Sequence, residues 1–167
     1  MGEVVEEVKV WNTPVIGAYL LWRFTTGYTA SHPHGDAPIG LLHFVAGAIL
    51  TSPRLSTPIS NKRADLQSYV RSFEDSKSSD LLLSIHERTK DRLPYTMKAI
   101  DIAVANGLLF WDLETAKLYP KSNLNKPKRG NALKSVNEQM GSKAEILGNW
   151  FGKHDLPTIA NYLSIVF

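Results

Sequence analysis

Two histidines and an aspartate lie close together in the segment H-P-H-G-D at 32–36, and their types suit metal binding. Imidazole nitrogens and carboxylate oxygens are common ligands of divalent ions, so His32, His34 and Asp36 would form part of a site if a further ligand came from elsewhere. A solvated loop accounts for the same residues, because proline and glycine interrupt them. We therefore assign no metal here and keep these three side chains as candidates for an enzyme of unrecognised type.

No motif in the chain indicates a catalytic centre or a bound cofactor. The sequence contains no G-x-S-x-G, no H-E-x-x-H and no glycine-rich run that opens a helix after a strand. The run G-N-W-F-G-K at 148–153 is one residue short of a phosphate-binding loop, and His154 follows where that loop has Ser or Thr. His43 and His86 lie in apolar-rich segments, where a buried histidine bonded to a carbonyl is expected. We predict a protein that is not an enzyme and binds no cofactor.

A basic segment at 121–134 is the clearest candidate for contact with phosphate. It holds five cations and no acid within fourteen residues: Lys121, Lys126, Lys128, Arg129 and Lys134. Lys117 extends the same patch, and such a contact would be electrostatic and sensitive to salt. A solvated flexible loop accounts for this charge equally well.

Two smaller groups of cations need a separate account. Arg88, Lys90 and Arg92 lie near a predicted helix end, where they would satisfy the terminal carbonyls and the helix dipole. Lys62 and Arg63 fall near the predicted start of another helix, where positive charge is unfavourable for the dipole. This position indicates an anionic contact outside the chain, so both are candidate partner contacts.

Length and composition favour one globular domain. The 167 residues are 43% hydrophobic, carry a formal charge of +3 and include no cysteine, which excludes disulfides and thiolate metal sites. The acidic start at 1–9 does not resemble an export signal, and the apolar run at 39–50 is shorter than the ~20 residues that span a bilayer. We expect a cytoplasmic protein with no membrane contact.

Hydrophobic periodicity and capping residues predict a mainly α fold with a small β-hairpin. Asn12-Thr13-Pro14 begins a helix that runs to about Thr26, and Gly27 is its expected stop. The other predicted helices cover 39–51, 61–73 with Asn61 as cap, 81–92, 95–106, 144–152 and 156–163. The predicted hairpin has strands at 108–112 and 116–120.

The order helix, turn, helix, hairpin at about 79–120 is typical of a winged helix. The basic loop at 121–134 and C-terminal helices within 144–164 would complete the single domain. The predicted recognition helix carries Lys98 and Asp101 but is otherwise mainly apolar, so it has little with which to read bases. This composition favours contact with a protein over readout of a DNA sequence.

Candidate contacts for a partner protein lie on that helix and at the C-terminal end. Ile102 is on a different face from the apolar residues expected in the core, and a partner would cover it. The apolar residues Ile165, Val166 and Phe167 would also need cover. Docking of this end on the protein's own core is the equal alternative.

Several segments taken together resemble one known family. They are N-T-P at 12–14 followed by A-Y-L-L-W-R-F at 18–24, S-N-K-R at 60–63, L-L-L-S-I-H-E-R at 81–88, A-I-D-I-A-V-A-N-G-L-L at 99–109, and L-G-N-W-F-G-K at 147–153 with the tail to Phe167. The set resembles the small middle component of bacterial three-component ABC ATPase systems (ABC-3C), a group that includes Lamassu-type anti-phage defence. The resemblance covers almost the whole chain.

The resemblance implies a non-catalytic adaptor in anti-phage or anti-plasmid defence. Its implied partners are an SMC- or Rad50-like ABC ATPase, an effector nuclease and double-stranded DNA held through the complex. The alternative is a stand-alone winged-helix DNA-binding regulator, for which the hairpin and the basic segment argue. The third hypothesis is the enzyme that would use His32, His34 or Asp36.

Overall fold

The computed structural model describes residues 13–61, 63–121 and 135–167. In chain order, these residues form α1 (Pro14–Ser31), α2 (Gly40–Leu50), α3 (Pro53–Ser56), α4 (Leu66–Asp75), α5 (Ser79–Leu83), α6 (Ile85–Asp91), α7 (Leu93–Ala105), β1 (Leu109–Asp112), β2 (Lys117–Pro120), α8 (Ser135–Gly152) and α9 (Leu156–Leu163). The prediction of a mainly α fold with a small hairpin is confirmed. In the described ranges, no helix is both long and apolar enough to cross a membrane.

Helix α1 begins at the predicted cap but does not end where the sequence indicated. The Thr13 hydroxyl accepts a hydrogen bond from the Ile16 amide, and Pro14 occupies the first turn. The helix then continues through Gly27 to Ser31, so the predicted stop at Gly27 is wrong. A local capping signal and a close helix contact both favour glycine, and the second applies here.

The crossing of α1 and α8 is close enough to require glycine on both helices. A Cβ atom at Gly27 would overlap the Glu145 carbonyl, and one at Gly148 would overlap the Phe24 carbonyl. The backbones therefore pack without intervening side chains, as small residues allow. Gly148, the first glycine of the G-N-W-F-G-K run at 148–153, thus has a packing role inside a helix.

Two apolar clusters form the core. The larger joins α1, α2, α4, α8 and α9, and within it Phe24 and Phe151 meet edge to face with ring centroids 5.5 Å apart. The smaller lies where α1 meets α7 and the hairpin, and it includes Trp22, Ile100 and Leu118. Helix α1 contributes to both clusters, which explains why its sequence has few polar positions.

Three further helix boundaries differ from prediction. Helix α4 is capped by Asp65, whose side chain accepts from the Ser68 amide at 2.7 Å, so Asn61 is not its cap. The predicted helix at 81–92 is two helices, α5 and α6, which meet at Ser84. Helix α8 begins at Ser135 and not near residue 144.

The hairpin agrees with prediction and is attached to the loop between α1 and α2. Its antiparallel register pairs Leu109 with Pro120 and Asp112 with Lys117. The Leu118 amide donates to the Pro38 carbonyl at 3.0 Å, and an isolated bridge joins Ile39 to Lys117. The similarity to a winged helix stays a prediction.

The cap that ends α7 also agrees with prediction. The Gly107 amide donates to the Val104 carbonyl at 3.1 Å, and the Leu108 amide donates to the Ala103 carbonyl at 2.8 Å. This pair of bonds satisfies two carbonyls of the last turn in a Schellman arrangement. It directs the chain from α7 straight into β1.

Candidate partner-binding surface

The H-P-H-G-D segment at 32–36 is held by contacts within the protein. The Asp36 carboxylate accepts a hydrogen bond from the Lys117 ammonium and another from the Ala37 amide at 2.8 Å. These bonds lower the pKa of Asp36, with the Lys117 bond as the largest cause. His32 Nδ1 accepts from the His34 and Asp36 amides at 3.2 Å. Within the described part of the chain, no group of three potential metal ligands comes together.

His43 is buried between α1 and α2, as the sequence predicted, whereas the same prediction for His86 is wrong, because His86 is only partly buried. His43 Nε2 lies 2.8 Å from the Thr25 hydroxyl, and its Nδ1 lies 3.3 Å from the Ile39 carbonyl. Burial lowers the pKa of His43 to about 4, so the ring is neutral near pH 7. Its contacts identify it as a structural residue of the core.

The candidate phosphate contacts divide between paired, exposed and undescribed residues. Lys117 forms the ion pair with Asp36, and this bond raises the pKa of Lys117. Lys121 is exposed at the end of β2, where its amide donates to the Leu108 carbonyl at 2.9 Å. Lys126, Lys128, Arg129 and Lys134 lie outside the described residues.

The remaining candidate cations occupy different settings. Arg63 lies in the turn before α4, two residues before the cap Asp65, and its amide donates to Asn61 Oδ1 at 2.9 Å; its anionic contact outside the chain stays a prediction. Lys62 lies outside the described residues. Arg92 lies over the ring of Tyr95 at 5.5 Å and is itself the cap residue between α6 and α7.

The C-terminal residues separate into a buried anchor and an exposed end. Ile165 is 7% exposed and belongs to the larger core cluster, so docking of this end on the protein's own core holds for that side chain. Val166 and Phe167 are 79% and 47% exposed. Ile102 is half-buried against the smaller cluster.

An apolar groove of about 260 Å³ lies beside this end. Its walls come from α2, α6, the start of α7 and the C-terminal residues, and its lining comprises Leu41, Phe44, His86, Thr89, Lys90, Leu93, Ile165, Val166 and Phe167. Leu41 and Leu93 are 48% and 43% exposed. Within the described part of the chain, the groove therefore gathers large apolar side chains that remain partly exposed.

Helical spacing explains why these side chains converge. His86, Thr89, Lys90 and Leu93 follow one another at i, i+3, i+4 and i+7, which places them along one face. Ile85, next to this stripe, is fully buried and fixes α6 to the core. The result is a wall of the groove that carries the apolar side chain of Leu93 and the ammonium of Lys90.

The chemistry of the groove suits binding. The ionisable side chains of its lining are His86 and Lys90, and none of the lining residues is a carboxylate, a serine or a cysteine. Lys90 Nζ lies 3.8 Å from Glu87 Oε1 on the neighbouring face, and both side chains are largely exposed. An exposed ion pair at this distance contributes little free energy, so Lys90 remains able to bind an external anion.

Sequence reasoning identified only the C-terminal part of this surface. It did not single out Leu41, Phe44, Thr89 or Leu93 as contacts. The predicted helices at 81–92 and 95–106 left Leu93 out, so the sequence analysis did not connect Leu93 with His86, Thr89 and Lys90. The pairing of that stripe with α2 depends on tertiary structure.

Comparison with known proteins gives one match. A family model described as "ABC-three component (ABC-3C) system Middle Component 3" matches residues 1–167. No curated protein matches the chain. No solved structure matches it either.

Proposed function

The chain belongs to the Middle Component 3 family of ABC-3C systems, and from this we propose that it is a non-catalytic adaptor that binds the ATPase component through its apolar groove. A middle component is an accessory part of a multi-component system, so a stable protein interface is expected of it. The groove beside Phe167 is the feature that carries the proposal. Soluble monomers seldom leave a contiguous apolar surface uncovered unless a partner binds it.

The composition of the groove agrees with this role. The centres of protein interfaces are depleted in charge, and their rims are polar. Leu41, Leu93 and Phe167 supply the apolar centre here, and Lys90 lies at its edge. Tight binding to a partner helix or loop needs a few such side chains in a preformed site.

The partners that we propose are those that the sequence resemblance implies. We propose an SMC- or Rad50-like ABC ATPase and an effector nuclease as the other components, with double-stranded DNA bound through the complex. The proposed setting is bacterial defence against phage or plasmids, of the Lamassu type. An adaptor in such a complex connects detection by the ATPase to action by the effector.

The contacts of the candidate catalytic residues support a non-catalytic role. The Asp36 carboxylate accepts a hydrogen bond from Lys117, and His32 Nδ1 accepts from two backbone amides. Neither group is therefore placed to activate a nucleophile. We expect His34→Ala to leave defence activity unchanged in a plaque assay. Loss of activity without loss of folded protein would instead favour the enzyme hypothesis.

Co-expression tests the adaptor proposal. The tagged chain is produced with the other components of its own system, then purified with nuclease treatment at moderate salt and weighed by native mass spectrometry. We expect a complex that contains the ABC ATPase and the effector in a fixed ratio. Recovery of the chain alone would contradict the proposal.

The alternative of a stand-alone DNA-binding regulator makes a different prediction. It requires the purified chain to prefer a defined duplex at moderate salt, since nonspecific binding needs only neutralised phosphates. The α7 helix is poorly suited to reading bases, because Ile100 and Ala103 are buried in the smaller core cluster. A gel-shift selection from random duplexes decides between the two.

A further inference from the structure

The groove combines an apolar floor with a cationic edge, and this combination defines the chemistry of its occupant. Resting on the adaptor role proposed above, we infer that the groove receives a segment of another component of the complex that presents large apolar side chains flanked by a carboxylate. The occupant is a segment of protein and not nucleic acid. An acidic phosphate backbone would gain from Lys90 but would find no partner for the apolar floor.

The large apolar side chains that we infer on the occupant follow from the residues that line the groove. Leu41 and Phe44 of α2, Leu93 of α7 and Phe167 all line the groove, and none of its lining residues belongs to a strand. The volume of about 260 Å³ holds a few large side chains but not a folded domain. A helix or turn that inserts successive apolar residues matches this shape.

The carboxylate that we infer on the occupant follows from the positive charge of Lys90 at the edge of the groove. Lys90 and His86 are the ionisable side chains of the lining, and among the described residues Lys90 pairs with Glu87 at 3.8 Å, an exposed contact. A carboxylate on the incoming segment would meet Lys90 where bound protein excludes part of the water, and there the attraction is stronger. A basic segment would meet like charge, which would lower its affinity.

One experiment tests the apolar floor. Leu41→Asp places a carboxylate in the groove, and at the first turn of α2 this charge is favourable for the helix dipole, so the protein is expected to fold. The matched control is Leu113→Asp in the hairpin turn, where Leu113 is 90% exposed and does not line the groove. In the co-expressed complex, we expect Leu41→Asp to weaken retention of this chain about a hundredfold and Leu113→Asp to leave it unchanged.

A second experiment tests the charge. Lys90→Glu is expected to weaken the complex about tenfold and to flatten its dependence on salt, whereas Lys98→Glu, outside the groove, changes neither. A photo-crosslinking residue at Thr89 then identifies the segment that occupies the groove. Exchange of the carboxylate in that segment for lysine should restore binding to the Lys90→Glu variant.

The outcomes separate this inference from the adaptor proposal. A complex that forms normally with both Leu41→Asp and Lys90→Glu overturns the groove as the site and leaves the adaptor role standing. Cross-links to a basic segment, to a second copy of this chain or to DNA overturn the chemistry inferred for the occupant. Absence of any complex with the unaltered chain overturns both.

Discussion

Arg23 of α1 and Glu145 of α8 form an ion pair between the two helices. Arg23 Nη2 lies 2.8 Å from Glu145 Oε2, Arg23 Nε donates to the same oxygen at 2.9 Å, and both side chains are largely buried. Arg23 Nη1 also donates to the Tyr19 hydroxyl at 2.8 Å. The carbonyl of Glu145 is the atom that excludes a side chain at Gly27. Glu145 therefore contributes to the packing of α8 against α1 through both its carbonyl and its carboxylate.

Removal of one partner of this pair should destabilise the fold. Arg23→Met removes the largely buried ion pair with Glu145 and the hydrogen bond to Tyr19, and we expect a loss of about 3 kcal/mol in the free energy of unfolding. Urea denaturation measures the change. A control is Glu87→Gln, which removes only the exposed pair with Lys90 and should cost less than about 1 kcal/mol. Equal effects of the two substitutions would show that the buried pair has no special role.

The glycine at the centre of the crossing should tolerate no side chain. Gly148→Ala would force α1 and α8 apart, because the new methyl group meets the Phe24 carbonyl, and we expect a loss of about 3 kcal/mol or more. Gly35→Ala is the comparison: φ is +66° there and nothing lies within 4 Å of the new atom, so strain alone should cost about 1–2 kcal/mol. Melting temperatures of both variants show which substitution destabilises the fold more. A Gly148→Ala protein as stable as the unaltered chain would contradict the described crossing.

The buried histidine should make stability fall as the solution becomes acidic. Folding lowers the pKa of His43 from 6.5 to about 4, so between these values the unfolded chain binds the extra proton. Stability from this source is complete above about pH 6.5 and is lost as pH falls to about 4, by an amount on the order of 3 kcal/mol. Unfolding free energies across this range, compared with those of His43→Gln, should show the slope only in the unaltered protein. The same slope in both proteins would assign it to other groups.

A lysine on α8 should contribute to stability by bonding three carbonyls. Lys143 Nζ lies 3.0 Å from the Ser56 carbonyl, 3.2 Å from that of Thr57 and 2.9 Å from that of Ile59. Burial lowers its pKa from the ordinary lysine value, but the ammonium remains the form that donates all three bonds. We expect Lys143→Met to cost about 2 kcal/mol, as measured by thermal unfolding, with Lys98→Met near zero. A Lys143→Met protein as stable as the unaltered chain would contradict the described contacts.

The sequence predicted the elements better than it predicted their ends. Hydrophobic spacing and turn residues located the helices and the hairpin, because these signals are local. Gly27 was wrongly interpreted as a stop, since nothing within α1 reveals that Glu145 of a distant helix would pack against it. Asn61 and Asp65 are both competent caps, and packing of Leu66 into the core selects the second.

The candidate site shows the same limit more strongly. The apolar end of the chain was identified from composition, but the split between buried Ile165 and exposed Phe167 depends on the left-handed turn at Ser164. Leu41 was placed in the predicted helix at 39–51 and Leu93 in no predicted helix, and nothing in the sequence indicated that either would remain exposed. Three separate segments build the groove, so only the tertiary structure reveals it.

The adaptor role is tested most directly with purified components in solution. The chain is titrated into the isolated ABC ATPase of its own system without DNA, and mass photometry follows the mass of the ATPase. The adaptor role predicts a saturable increase that corresponds to bound copies of this chain, and the groove as the binding site predicts that Leu41→Asp needs a much higher concentration for the same increase. An ATPase whose mass is unchanged at every concentration of the unaltered chain would contradict it.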